Sequence, residues 1–91
     1  MKKVINGKVY NTETAKEICK YSNGKAWNDF DVFASELYQT KKGSFFVLEY
    51  DFQHVYVPLI KVLSESEAKE YVEKYGNADD YIKTFENVEE A

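Results

Sequence analysis

Cysteine, histidine, proline and tryptophan each occur once in this 91-residue chain, and glycine only four times. A single cysteine excludes an internal disulfide, so no covalent staple supports the fold, and a reducing, cytoplasmic setting is expected. Zinc takes about four protein ligands, or three and an open position, drawn mostly from His and Cys. Cys19 and His54 alone do not supply that set, and no metal or other cofactor is expected. The glycines stand apart, each after an expected turn or helix end, which excludes a glycine-rich phosphate loop. No apolar run approaches the ~18–20 residues of a membrane span. Met1-Lys2-Lys3 leads into a polar hairpin rather than the apolar segment of a signal peptide.

Aromatic side chains and acids are plentiful. Eight Tyr, six Phe and one Trp are too many for a disordered segment, although 31% of the residues are charged. The length predicts one small domain spanning residues 1–91. A chain of this size buries only about 60–65% of its unfolded surface, so its core must be used efficiently. The formal net charge of −4 is split unevenly, with +2 on residues 1–63 and −6 on residues 64–91. A basic nucleic-acid footprint is absent from that balance, and direct nucleic-acid binding is not expected.

Local patterns predict an α+β domain. Val4 to Tyr10 reads as a β-hairpin, because Asn6-Gly7 supplies the positive φ angles of a type I′ turn. Asn11 is a suitable N-cap, and Ala15, Ile18, Cys19 and Ser22 share helical spacing, which predicts a helix over 12–21 ended by Asn23-Gly24. A polar connector over 25–31 carries Trp27 and Phe30. Residues 32–39 and 44–52 form a second hairpin around Thr40-Lys41-Lys42-Gly43. In its second arm Phe46, Leu48, Tyr50 and Phe52 face the core, while Phe45, Val47, Glu49 and Asp51 make a face covered at its start and solvated at its end. A further strand over 55–63 contains Pro58, which places it at an edge or gives it a bulge.

Ser64 and Glu67 have capping-box spacing ahead of a helix whose buried stripe is Ala68, Tyr71, Val72 and Tyr75, ended by Gly76. Asn77 caps a last helix with Ala78, Tyr81, Ile82 and Phe85 inward and Asp79 and Asp80 in its first turn. The expected whole is one antiparallel sheet with an N-terminal helix and two C-terminal helices packed on it.

Catalytic readings are weak. His54 reads as a turn residue, and Cys19 as a small buried residue on an apolar stripe. Sixteen acids make some close carboxylate pairs inevitable, but no spacing singles one out. Binding readings are stronger. The acids of the last third, including Glu70 and Glu73, lie off the apolar stripes and suit a basic partner, although solvated helix faces look the same in sequence. Trp27 and Phe30 sit in a polar loop, where large aromatics are enriched as binding anchors.

The string Ile5-Asn6-Gly7-Lys8-Val9-Tyr10-Asn11-Thr12-Glu13-Thr14-Ala15 resembles a group of small proteins carried by phages, plasmids and other mobile elements of Gram-positive bacteria. So do Asp29-Phe30, Glu36-Leu37-Tyr38, and Thr40-Lys41-Lys42-Gly43 leading into Phe45-Phe46. The ending is similar too: Pro58-Leu59, Leu63-Ser64 before an acidic helix, and a Glu-Glu-Ala terminus. The likeness spans nearly the whole chain as scattered short matches and carries no catalytic signature. It departs at Glu49-Tyr50-Asp51-Phe52-Gln53-His54-Val55, where the group has a glycine-rich loop.

Some proteins with similar beginnings look like anti-CRISPR inhibitors. The resemblance therefore implies a non-enzymatic cytoplasmic protein of the bacterial host cell that inhibits a defence nuclease. Together with the charge pattern, the expected binding residues are Trp27, Phe30, Glu49, Asp51, Glu70 and Glu73, facing a basic CRISPR-type nuclease. The alternative is a structural or regulatory interaction module with no counter-defence role, for example a homodimer that adds a strand at a sheet edge.

Overall fold

Asn6 and Gly7 both adopt positive φ, 51° and 75°, in the computed structural model, which describes residues 1–85. They close the expected two-residue hairpin between β1 (Lys2–Ile5) and β2 (Lys8–Asn11), with Ile5 paired to Lys8. A four-stranded antiparallel sheet follows in the order β3-β4-β5-β6, formed by Lys16–Ser22, Phe33–Gln39, Phe45–Asp51 and Leu59–Leu63. Two helices follow among the described residues, α1 (Glu65–Tyr75) and α2 (Ala78–Thr84). The expected α+β class is the observed one.

The expected helix over 12–21 is instead a turn and a strand. The Asn11 side chain accepts a bond from the Glu13 N–H at 2.9 Å, and its carbonyl accepts from Thr14 and Ala15 at 3.3 and 3.0 Å. That single turn stops at Lys16, where β3 begins to pair with β4. The pattern misleads because the register shifts between Glu17 and Cys19, leaving Ile18 as an inserted residue. Both Ile18 and Cys19 then pack on the same apolar cluster, an adjacency that imitates helical spacing. An isolated ten-residue helix is marginal in water, and pairing along a full strand wins.

The strands also form two sheets rather than one. The β1–β2 hairpin lies across a face of the four-stranded sheet instead of joining its edge. Tyr10, only 5% exposed, seats its ring edge-on to Phe46 at 5.5 Å, and Phe46 stacks on Tyr38 at 5.3 Å. Phe46 and Leu48 are buried under this hairpin, with Ile5, Ala15, Tyr50 and Ile60 around them. On the opposite face Leu37 and Phe45 meet Ala68 and Val72 of α1 and Phe85 after α2. Both faces of β5 are therefore covered over its first half, which explains an unbroken apolar run, Phe45-Phe46-Val47-Leu48, in place of alternation. Phe46 is fully buried between the layers, and its truncation to alanine is expected to cost about 3–5 kcal/mol.

The start signals of the two C-terminal helices hold. Ser64 Oγ accepts the Glu67 N–H at 3.1 Å and the Glu67 carboxylate accepts the Ser64 N–H at 2.9 Å, completing the capping box, and Gly76 is the C-cap of α1. Asn77 and Asp80 make a second box on α2. Along α2 only Tyr81 and Phe85 pack inward; Ala78 and Ile82 are exposed, because a seven-residue helix meets the sheet along a narrow line. Pro58 ends the β5–β6 loop rather than interrupting a strand, so the strand expected over 55–63 is shortened to β6.

Candidate functional site

The antiparallel order collects four strand ends, the last residues of β3 and β5 and the first of β4 and β6, at one end of the sheet. Two loops cap this end, residues 23–32 and 52–58. The first is braced from within. Asn23 Nδ2 donates to the Asp31 carbonyl at 2.7 Å, its Oδ1 accepts the Phe33 N–H at 3.3 Å, and the Asp29 carboxylate accepts the Asp31 N–H at 2.8 Å. Val32 is buried beneath, yet Trp27 and Phe30 remain 51% and 81% exposed. The Phe30 ring lies 4.5 Å from Phe52, and Trp27 stands edge-on to Tyr50 at 6.2 Å.

Asp51 organises the second loop. Its Oδ1 accepts the N–H groups of Gln53 and His54 at 3.0 and 2.9 Å and contacts His54 Nδ1 at 2.8 Å. These bonds, led by the imidazole contact, hold its carboxyl below the ordinary carboxylate range. Beyond the turn Tyr56 is 96% and Val57 70% exposed.

Trp27, Phe30 and Asp51 thus share one end of the molecule. Glu49 lies two residues further in on β5, opposite Ser35 and Leu59, on the helix-bearing face. Glu70 and Glu73 are exposed on α1 and make no hydrogen bond or ion pair among the described residues. They belong to the helical layer and not to the loop cluster. Glu86, Glu89 and Glu90, part of the expected acidic surface, lie outside the described residues.

Sequence reasoning missed Phe52, Tyr56 and Val57. Alternation along β5 placed Phe52 in the core, but the strand stops at Asp51 and the ring turns out. The signal for Tyr56 was Pro58, which cannot donate to a ladder and so marks the residues before it as loop.

A recess of about 460 Å³ opens beside this end, on the hairpin side of the sheet, bounded by Glu36, Tyr38, Tyr50, Tyr56 and Pro58. Glu36 Oε1 accepts the phenol O–H groups of Tyr38 and Tyr50 at 3.2 and 3.3 Å. Burial, then the Glu36 charge, pushes both phenols above the usual tyrosine range, so they stay protonated and keep donating. A carboxylate in a recess bounded by tyrosines is suited to an ammonium or guanidinium group.

Nucleophilic catalysis finds little support. Burial, reinforced by the charges of Asp80 and Glu17, pushes the Cys19 thiol up to about 11, which disfavours the nucleophilic thiolate at neutral pH. Among the described residues no group of three or more His, Cys, Asp or Glu is placed to hold a metal ion. Among them, too, no helix is long and apolar enough to cross a membrane. Comparison of the chain with protein-family models, curated proteins and solved structures gives no match.

Proposed function

We propose that this chain is a non-enzymatic protein-binding module whose loop-bearing end engages a basic protein surface. The observation that carries this reading is the exposure of Trp27, Phe30, Tyr56 and Val57 on braced loops, at the same end as Asp51 and the Glu36 recess. Large apolar side chains held in the open without a covering element are characteristic of interaction surfaces. Carboxylates beside them select cationic partners and steer their approach.

The resemblance to mobile-element proteins supplies the first partner to test, a CRISPR-type nuclease of a Gram-positive host, met in the cytoplasm. Inhibition is then steric and electrostatic: aromatic anchors dock, and carboxylates occupy basic groups that otherwise hold nucleic acid. The test is affinity capture from a bacterial lysate containing the nuclease, together with cleavage of a matched target. Recovery of the nuclease with cleavage suppressed, both weakened steeply by salt, is the expected result. Undiminished cleavage with no nuclease recovered overturns the counter-defence assignment.

Strand-addition dimerisation is less well supported by the sheet edges. Lys16 and Lys20 with a bulge mark β3, and Lys61 stands in the middle of β6, features that discourage edge-to-edge pairing.

A further inference from the structure

The end of the molecule opposite the aromatic loops carries lysines and hydroxyls without a carboxylate among them. There the β1–β2 turn and the β4–β5 turn come together over a cleft of about 600 Å³. Lys8, Lys41 and Lys42 line it, with the hydroxyl-bearing side chains of Thr14, Thr40 and Ser44 between them, and no carboxylate is in its wall. The structure assigns this cleft as a binding site for a polyphosphate anion, either a small molecule bearing linked phosphates or the sugar–phosphate backbone of a nucleic acid.

Three features support the assignment. First, the cations are local and uncompensated: none of the three lysines makes an ion pair among the described residues. Among the described residues Glu65 lines an adjoining recess that also touches Lys8, and it is engaged by Lys69 at 3.8 Å. Glu13 is next to Thr14 in sequence but does not line the cleft.

Second, donors remain available. The β4–β5 turn uses the N–H groups of Thr40, Gly43 and Ser44 internally, at 2.8, 2.9 and 3.0 Å. The N–H groups of Lys41 and Lys42 have no acceptor among the described residues. Ammonium groups, hydroxyls and backbone N–H groups together are the donor set that phosphate oxygens take.

Third, the cleft is held in shape. Tyr10 of β2 is clamped on Phe46 of β5, so the two turns that carry the lysines are tied through the core. The overall charge of −4 does not oppose binding here. A seven-residue strand spans about 20 Å, at roughly 3.3 Å per residue. That separation exceeds the screening length of about 8 Å at physiological ionic strength, so the aromatic end's acids are screened from the cleft.

The test is a nuclear magnetic resonance titration of the full chain with tripolyphosphate, and separately with an eight-nucleotide oligothymidylate, at 50 mM salt. Shifts concentrated on Gly7, Lys8, Lys41, Lys42 and Ser44 are expected. Lys41→Gln with Lys42→Gln weakens binding about tenfold or more, whereas Lys41→Arg with Lys42→Arg retains it. Lys2→Gln with Lys3→Gln removes the same charge at the far end of the hairpin and leaves affinity unchanged.

Tighter binding of the oligonucleotide identifies a nucleic-acid backbone as the source of the phosphates. Tighter binding of tripolyphosphate identifies a small molecule, and either result supports the site. Absence of binding at 50 mM salt, shifts centred elsewhere, or equal loss in the Lys2/Lys3 variant overturns it.

Discussion

Cys19 and the half-buried tyrosines predict a loss of stability at alkaline pH. The Cys19 thiol is raised to about 11 from 9.0, and the Tyr71 phenol to about 12 from 10.0, in both cases chiefly by burial. For such groups the protonated form is favoured in the folded state. Their contribution is complete below the unfolded values and is lost as pH rises through the folded ones. Thermal unfolding midpoints should therefore be flat from pH 7 to about 8 and fall above about pH 9, less steeply in Cys19→Ala. The same burial predicts that a thiol reagent at pH 7.5 modifies Cys19 much more slowly in the folded protein than after denaturation.

Glu67 works in the other direction. Its carboxyl is held below the ordinary range by the Ser64 N–H it accepts, so its contribution is present above the unfolded value and disappears as pH falls through the folded one. Glu67→Gln keeps an acceptor oxygen and should flatten this part of the acid limb, read from midpoints between about pH 2 and 6. These residue-level properties were only partly legible in the chain. The capping box is a fixed local spacing and could be read directly; the apolar stripe also placed Cys19 inward, but on a helix, because the bulge that turns Ile18 and Cys19 to one cluster has no local pattern.

At the scale of elements, β3 is the sharpest case. Ala15, Ile18, Cys19 and Ser22 fit a helical face, yet the segment pairs with β4 from Lys16 to Ser22. The expected outcome of backbone chemical-shift measurement is strand-like Cα shifts over 16–22; helical shifts there contradict the structure. α1 was legible because its start, stripe and stop are all local: Ser64, Ala68 with Val72, and Gly76. Ser64→Ala should cost about 1 kcal/mol and lower the melting temperature by roughly 4–8 °C, since α1 supplies two core side chains. The β4–β5 hairpin was also legible, from its turn and from the apolar run of its second arm. The placement of the β1–β2 hairpin was not, because a face-packed and an edge-paired hairpin have the same alternation and the same Asn-Gly turn.

At the scale of the molecule, two opposite ends emerge from a chain whose net charge describes neither. Lys8 is distant in sequence from the adjacent pair Lys41 and Lys42, and the docking of Tyr10 on Phe46 brings them together. Trp27, Phe30, Phe52 and Tyr56 come from two loops that the antiparallel order brings to one end. Trp27 and Phe30 could be singled out from sequence as large rings in a polar connector. Phe52 could not, because alternation along β5 continues through it, whereas Tyr56 was marked as loop only indirectly, by Pro58 two residues on.

The opposed ends make the binding face testable by location. Inhibition of target cleavage by a CRISPR-type nuclease should be compared for the unaltered chain, for Trp27→Ala with Phe30→Ala, and for Lys41→Gln with Lys42→Gln. The unaltered chain and the lysine variant are expected to inhibit alike, while the aromatic variant loses about tenfold or more in potency, with all three folded by circular dichroism. Equal potency of the aromatic variant, or no inhibition by the unaltered chain, contradicts this expectation.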